Sequence, residues 1–233
     1  LKIHRNMRVK FPKNPNHLNA IGALVKEKIR LLFRKDNIAE LGLLTDEKFL
    51  SAIRIISGIN SPAYWAKPDL LPLLILKVVN LSLKKGNSNY SPYNYAGLGL
   101  ILSSLGFFKF ADKIGLAAIR LVEKLNAIEQ KPRTYFVYYT FIKPWVSHIR
   151  STLLPLADCY SNALQIGDIE FASHAALVYG YYSFLSGVDL EESGKEIEKY
   201  ADAAEDLKQE TDLYVLANYR QTISILSGKE NFI

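Results

Sequence analysis

The residues of this 233-residue chain that could do chemistry are few and poorly spaced for it. Four histidines occur, His4, His17, His148 and His174. No two of them stand at ligand spacing and no Cys-x-x-Cys motif accompanies them, so no metal site is expected. The single cysteine, Cys159, excludes an intramolecular disulfide and reads as a small buried apolar residue. A nucleophilic role with His148 would need the fold alone to bring the two together. Paired carboxylates, Glu191 with Glu192 and Glu205 with Asp206, lie on a strongly charged stretch. Acid–base catalysis needs carboxylates tuned by burial, whereas these read as a solvated helix face. The string Ser-Gly-Lys-Glu occurs at Ser193 and again at Ser227. Neither copy has the leading glycine or the hydroxyl after lysine that a phosphate-cradling loop needs. Protein-kinase signature strings are missing too. The sequence therefore assigns no catalytic, metal-ligating or cofactor-binding residue, and an enzyme is the least expected class.

Binding is better provided for. Tyr135, Tyr138, Tyr139 and Trp145 belong to an aromatic stripe from Tyr135 to Trp145. Such rings could line a groove for a peptide or a small-molecule signal, with the hydroxyls fixing orientation. The competing reading is packing between helices. The polar cluster from Asn87 to Ser91, which includes Tyr90, reads either as a capped loop or as a ligand contact, with Asn87 and Tyr90 the candidates.

The elements that must position these side chains are helices. Sustained period-two alternation is absent, and apolar residues recur at helical spacing, as in Ile21, Leu24, Val25, Ile29, Leu32 and Phe33 within His17 to Lys35. Thr45 reads as an N-cap with Asp46 and Glu47 in the first turn, opening a helix that stops near Gly58. Ser61-Pro62 opens a short helix. Asp69 is placed to cap the next, Leu70 to about Lys84, whose nearly continuous apolar character predicts burial between neighbours. Ser91-Pro92 opens another helix, Gly106 breaks the chain, and a further helix is expected from Phe107 to about Ile128. An aromatic helix follows Pro132. Later helices are expected over Ser151 to Gln165, Asp168 to Leu185, Asp189 to Lys208 and Asp212 to Leu226, with Asp189 and Glu192 at capping-box spacing. Short links make sequential helices antiparallel neighbours.

Two stretches share a helix–turn–helix pattern. Tyr95, Leu98, Gly99 and Leu102 lead through Gly106 to Ala111, Gly115 and Ala118. Leu156, Cys159, Tyr160 and Ala163 lead through Gly167-Asp168 to Ala172, Ala176 and Tyr179. This is the pattern of tetratricopeptide repeats, though the turn glycines are too close for two regular repeats. The expected fold is an all-α, α-α superhelix of antiparallel helix pairs, tetratricopeptide-like and irregular. Residues 1–16 are expected to be a basic linker or tail and residues 17–233 one helical-repeat domain. The net charge of +6 concentrates in the first 35 residues. That segment lacks the interleaved aromatics of nucleic-acid binders, so nucleic acid is not an expected partner. The longest apolar run, Leu70 to Leu76, is too short to span a bilayer, and the beginning at Leu1 suggests a segment of a longer protein.

Three stretches, LLPLLILKVVNLSLKKGNSNYSPYNYAGLGLIL (Leu70 to Leu102), TYFVYYTFIKPWVSHIRSTLLPL (Thr134 to Leu156) and ALQIGDIEFASHAALVYGYYSFLSGVDL (Ala163 to Leu190), are similar to a segment of large bacterial and fungal hybrid sensor kinases. Those proteins join a Ser/Thr-kinase-like domain, an ATPase of the AAA/STAND type, a tetratricopeptide-like helical region, GAF or PAS sensors and often a histidine kinase. The resemblance runs from about Asn37 to Gly228, with NLSLKKGNS and GDIEFAS its most specific blocks. It implies a cytoplasmic, non-catalytic scaffold and sensor segment in signal transduction. Its partners would be a protein, a peptide or the neighbouring domains of the same chain. A stand-alone peptide-binding helical-repeat protein is the alternative.

Overall fold

The computed structural model describes residues 37–206 and 208–229, together with Gly22. The basic segment and the helix expected over His17 to Lys35 otherwise lie outside the described residues. The described chain is all-α. Its one bridge between extended segments pairs Leu43 with Asn87 in parallel. Packing divides the chain between Gln130 and Lys131 into two compact units. No Gly/Ser-rich stretch marks that boundary, because a 3-10 turn at Ile128–Gln130 runs directly into the next helix.

The first unit opens with a 3-10 turn at Ile38–Glu40, followed by α1 (Glu47–Gly58), α2 (Asn60–Ala66), α3 (Leu71–Lys85), α4 (Ser91–Ser104) and α5 (Phe108–Leu125). The cap of α1 is Asp46 rather than Thr45: its carboxylate accepts the Lys48 amide at 2.9 Å. Asp69 likewise does not cap α3, which starts from Leu70 without a side-chain cap and carries Pro72 in its first turn. The buried positions of α3 run around most of its circumference, from Leu73 to Leu83, as its apolar sequence requires. Leu74 and Val78 meet Ala52, Ile53 and Ile56 of α1 and Ala63 of α2 in one core. On the far side, α4 pairs closely with α5.

The second unit holds α6 (Lys131–Phe141), 3-10 turns at Lys143–Trp145 and Ile149–Thr152, α7 (Leu153–Gln165), α8 (Ile169–Leu185), α9 (Leu190–Asp206) and α10 (Glu210–Leu226). Here α8 is central, packing on α6, α7, α9 and α10. Its two apolar stripes explain this position. Phe171, Ala175, Val178 and Tyr182 are buried together, and Ala172 and Ala176 are buried beside them. Ala176 joins Ile197, Tyr200, Ala201, Leu216 and Ile223 in the core that seats α9 and α10. The Asp189 cap of α9 is formed, its carboxylate accepting the amides of Glu191 and Glu192 at 2.9 and 3.3 Å.

The two turns singled out in the sequence close identically. In α4–α5 the Gly106 and Phe107 amides donate to Ser103 and Leu102 carbonyls. In α7–α8 the Gly167 and Asp168 amides donate to Leu164 and Ala163. Both glycines have positive φ, +81° and +73°, and the paired bonds are those of a Schellman stop. The same closure recurs where no glycine announces it. Asn126 ends α5 at φ 48° and Lys208 ends α9 at φ 53°, with equivalent amide-to-carbonyl bonds. Among the described residues no helix is long and apolar enough to cross a membrane.

Candidate functional site

The loop between α3 and α4 is wired into the fold. Gly86 ends α3 at φ 108° and brings Asn87 alongside residues 42–44. The Asn87 amide donates to Gly42 O at 2.7 Å, and the Leu44 amide donates to Asn87 O at 2.8 Å. The side chain donates through Nδ2 to Ile38 O at 2.8 Å and accepts the Tyr95 hydroxyl at Oδ1, 3.1 Å away. Asn87 is fully buried, so its polar atoms serve this clasp rather than an outside ligand. Tyr90 is half-buried and packs on the core of α1, α2 and α3. Around it lies a polar seam. Ser91 Oγ takes the Ser88 amide at 2.8 Å and meets Ser82 Oγ at 2.8 Å. Asn94 donates to Ser57 Oγ at 2.7 Å and to Tyr90 O at 2.8 Å, and accepts from Asn60 Nδ2 at 3.0 Å.

The aromatic stripe divides by helix face. Tyr138 is fully buried and belongs to the core. Tyr135 and Tyr139, one turn apart on α6, remain half-buried with ring centroids 5.8 Å apart. Tyr138 braces Tyr139 edge-on at 4.8 Å. The Lys131 ammonium lies 5.3 Å from the Tyr135 ring, a cation–π contact. Burial, with the Asp158 carboxylate nearby, raises the Tyr139 hydroxyl above its ordinary pKa. The result is a shelf of two amphipathic rings on a rigid helix, with a cation at one end and a carboxylate near the other. Trp145, in the 3-10 turn after α6, is 61% exposed.

The remaining reactive side chains are placed for structure. Cys159 is buried, its thiol donating to Pro132 O at 3.1 Å, and burial pushes its pKa up to about 12. His148 accepts the Arg150 amide at Nδ1, 3.2 Å away, capping a 3-10 turn. Arg133 bonds Asp168 at 2.7 Å and stacks over Phe171 at 4.9 Å, tying the start of α6 to the start of α8. Glu191 and Glu192 are exposed.

One cluster escaped the sequence reading. Asp212, in the first turn of α10, is buried and accepts the Ser173 hydroxyl of α8. His174 Nδ1 lies 3.8 Å from the same carboxylate oxygen, an ion-pair distance rather than a hydrogen bond. Burial works to raise the Asp212 pKa, but His174 and Ser173 outweigh it and hold the carboxyl below its ordinary value. The carboxylate stands between serine and histidine. A nucleophilic relay instead needs the imidazole between serine and acid, so this arrangement fastens α10 to α8. The sequence carried a signal: Asp212 shares the inward stripe of α10 with Leu216 and Ile223. Comparison with protein-family models, curated proteins and solved structures gives no match to this chain.

Proposed function

We propose that this chain is a non-catalytic scaffold and sensor segment of a cytoplasmic, multidomain signal-transduction ATPase/kinase. It would bind a protein, a peptide or a neighbouring domain and couple that event to the rest of the protein. The observation that carries the binding role is the Tyr135–Tyr139 shelf: two adjacent rings, tilted at 51° to each other, left half-exposed on α6 while Tyr138 beside them is buried. Tyrosine is favoured at recognition surfaces because it offers large contact area and a hydroxyl at little entropic cost. The signalling context rests on the resemblance of the three stretches quoted above. In that setting a partner acts by preferring one of two arrangements of the helices, and the coupling energy is reciprocal.

Two measurements test this. The reading frame enclosing the segment should encode an ATPase before it and sensor or histidine-kinase domains after it; a short isolated frame overturns the signalling reading. In the enclosing protein, replacing Tyr135 and Tyr139 together by alanine should change the ATPase rate while leaving the helical circular-dichroism spectrum intact. An unchanged rate removes the shelf from the mechanism.

A further inference from the structure

Between α9 and α10 runs a groove of about 700 Å³. Its floor is Gly194, Ala217 and Ile223, and a Cβ at Gly194 would meet Ile223 at 3.4 Å, an ordinary packing contact. Its rims are charged and opposite. Along α9, Lys195 is neutralised by Glu191 at 3.1 Å, which leaves Glu198. Along α10 stands Arg220, with Lys229 beyond the helix end. Neither Glu198 nor Arg220 forms an ion pair among the described residues. Both are exposed.

An occupant of this groove must bring a cation to the α9 rim and an anion to the α10 rim. A ligand of a single sign, such as phosphate or a polyamine, satisfies one rim and is repelled by the other. The chain itself carries the required pair in the required order. Turned by a two-fold rotation, a second copy presents its own Arg220 to Glu198 and its own Glu198 to Arg220, the reciprocity that an isologous interface demands. The helices have the length for it. Each is 17 residues, about 25 Å at the rise of an α-helix. At about 10 Å per helix the pair presents a footprint of about 500 Å², the scale of a weak or transient interface rather than the ~800 Å² per partner of a standard one.

We propose that the α9–α10 groove is a self-association face, seating the same helix pair of a second copy with Glu198 of each chain paired to Arg220 of the other. Light scattering on the full chain across a concentration series at low salt tests it. The wild type should form a dimer. Glu198→Arg and Arg220→Glu should each weaken the dissociation constant by about tenfold or more, and the double swap should restore it. Circular dichroism checks that each variant is folded, and Glu198→Gln with Arg220→Gln provides a milder pair expected to fall between. A wild type that stays monomeric up to about 100 µM, a concentration that captures even weak specific dimers, overturns the proposal. So do single reversals that leave the dimer intact, or a double swap that fails to restore it.

Discussion

Replacing Gly86 by alanine should unfasten the first unit. At φ 108° the residue occupies backbone space that side chains rarely enter, at a cost of about 1–3 kcal/mol. A Cβ there would lie 2.5 Å from Gly42 O and 2.8 Å from Leu43 C. Both are backbone atoms, with no flexible side chain to swing aside. Relief requires residues 42–44 to move away, which breaks the two backbone hydrogen bonds of the clasp, each worth about 0.5–1.5 kcal/mol. The expected loss is about 2–6 kcal/mol. Gly106→Ala supplies the control. Gly106 also has positive φ, but nothing lies within 4 Å of its Cβ position, so only the backbone cost of about 1 kcal/mol applies. Urea denaturation followed by circular dichroism gives both values, and amide exchange at Leu44 and Asn87 reports the clasp directly. Equal losses for the two variants, or undiminished protection at Leu44 in Gly86→Ala, would refute the steric reasoning.

Lys208→Gly should stabilise the chain by about 1 kcal/mol, because glycine relieves the left-handed strain at the end of α9; a lower urea midpoint contradicts this. Asp212 has a depressed pKa in the folded state, so its contribution is fully present above its unfolded pKa and is lost as pH falls from there through the lower folded value. Asp212→Asn should cost about 1.5–3 kcal/mol at neutral pH and flatten the acid limb of a stability-versus-pH curve; an unchanged limb assigns the acid sensitivity elsewhere. Cys159, buried with its pKa pushed up to about 12, should resist iodoacetamide at pH 8 until denaturant unfolds the second unit. Rapid alkylation of the native chain would show that α7 opens readily.

The helical plan was legible because it rests on burial. The apolar run of α3 and the double stripe of α8 allow only interior positions, and that is where they lie. The glycine turns at Gly106 and Gly167 were legible for a similar reason, since each supplies a backbone angle that other residues resist. Caps were less legible. Thr45 and Asp46 are both good caps, and only the exact start of α1 decides between them. The stops at Asn126 and Lys208 were hidden because neither is a glycine: asparagine tolerates the left-handed region without requiring it, and lysine gives no sign of it at all. In the candidate site, α6 is aromatic and apolar on every side, so helical spacing alone did not separate the buried Tyr138 from the half-exposed Tyr135 and Tyr139. Asn87 looked like a surface loop residue because its partners, Ile38 and Gly42, lie far away in the sequence.

The seam around Asn94 also bears on which packing the first unit adopts. Most of α4 is either small or apolar, and apolar contact area by itself discriminates weakly against sliding such a helix one turn along its neighbours. Area alone therefore leaves several arrangements close in energy. Asn94 has partners on α1 and α2 at one register only, and Ser91 faces Ser82 of α3 at that same register. A slip of one turn would strand these amides and hydroxyls in the interior at about 1–3 kcal/mol each. The polar contacts thus add little to the depth of the native minimum and much to its separation from the alternatives. An apolar substitution at Asn94 would itself leave the buried Asn60 amide and Ser57 hydroxyl without these contacts, so it should lower the melting temperature as well as blunt the unfolding transition.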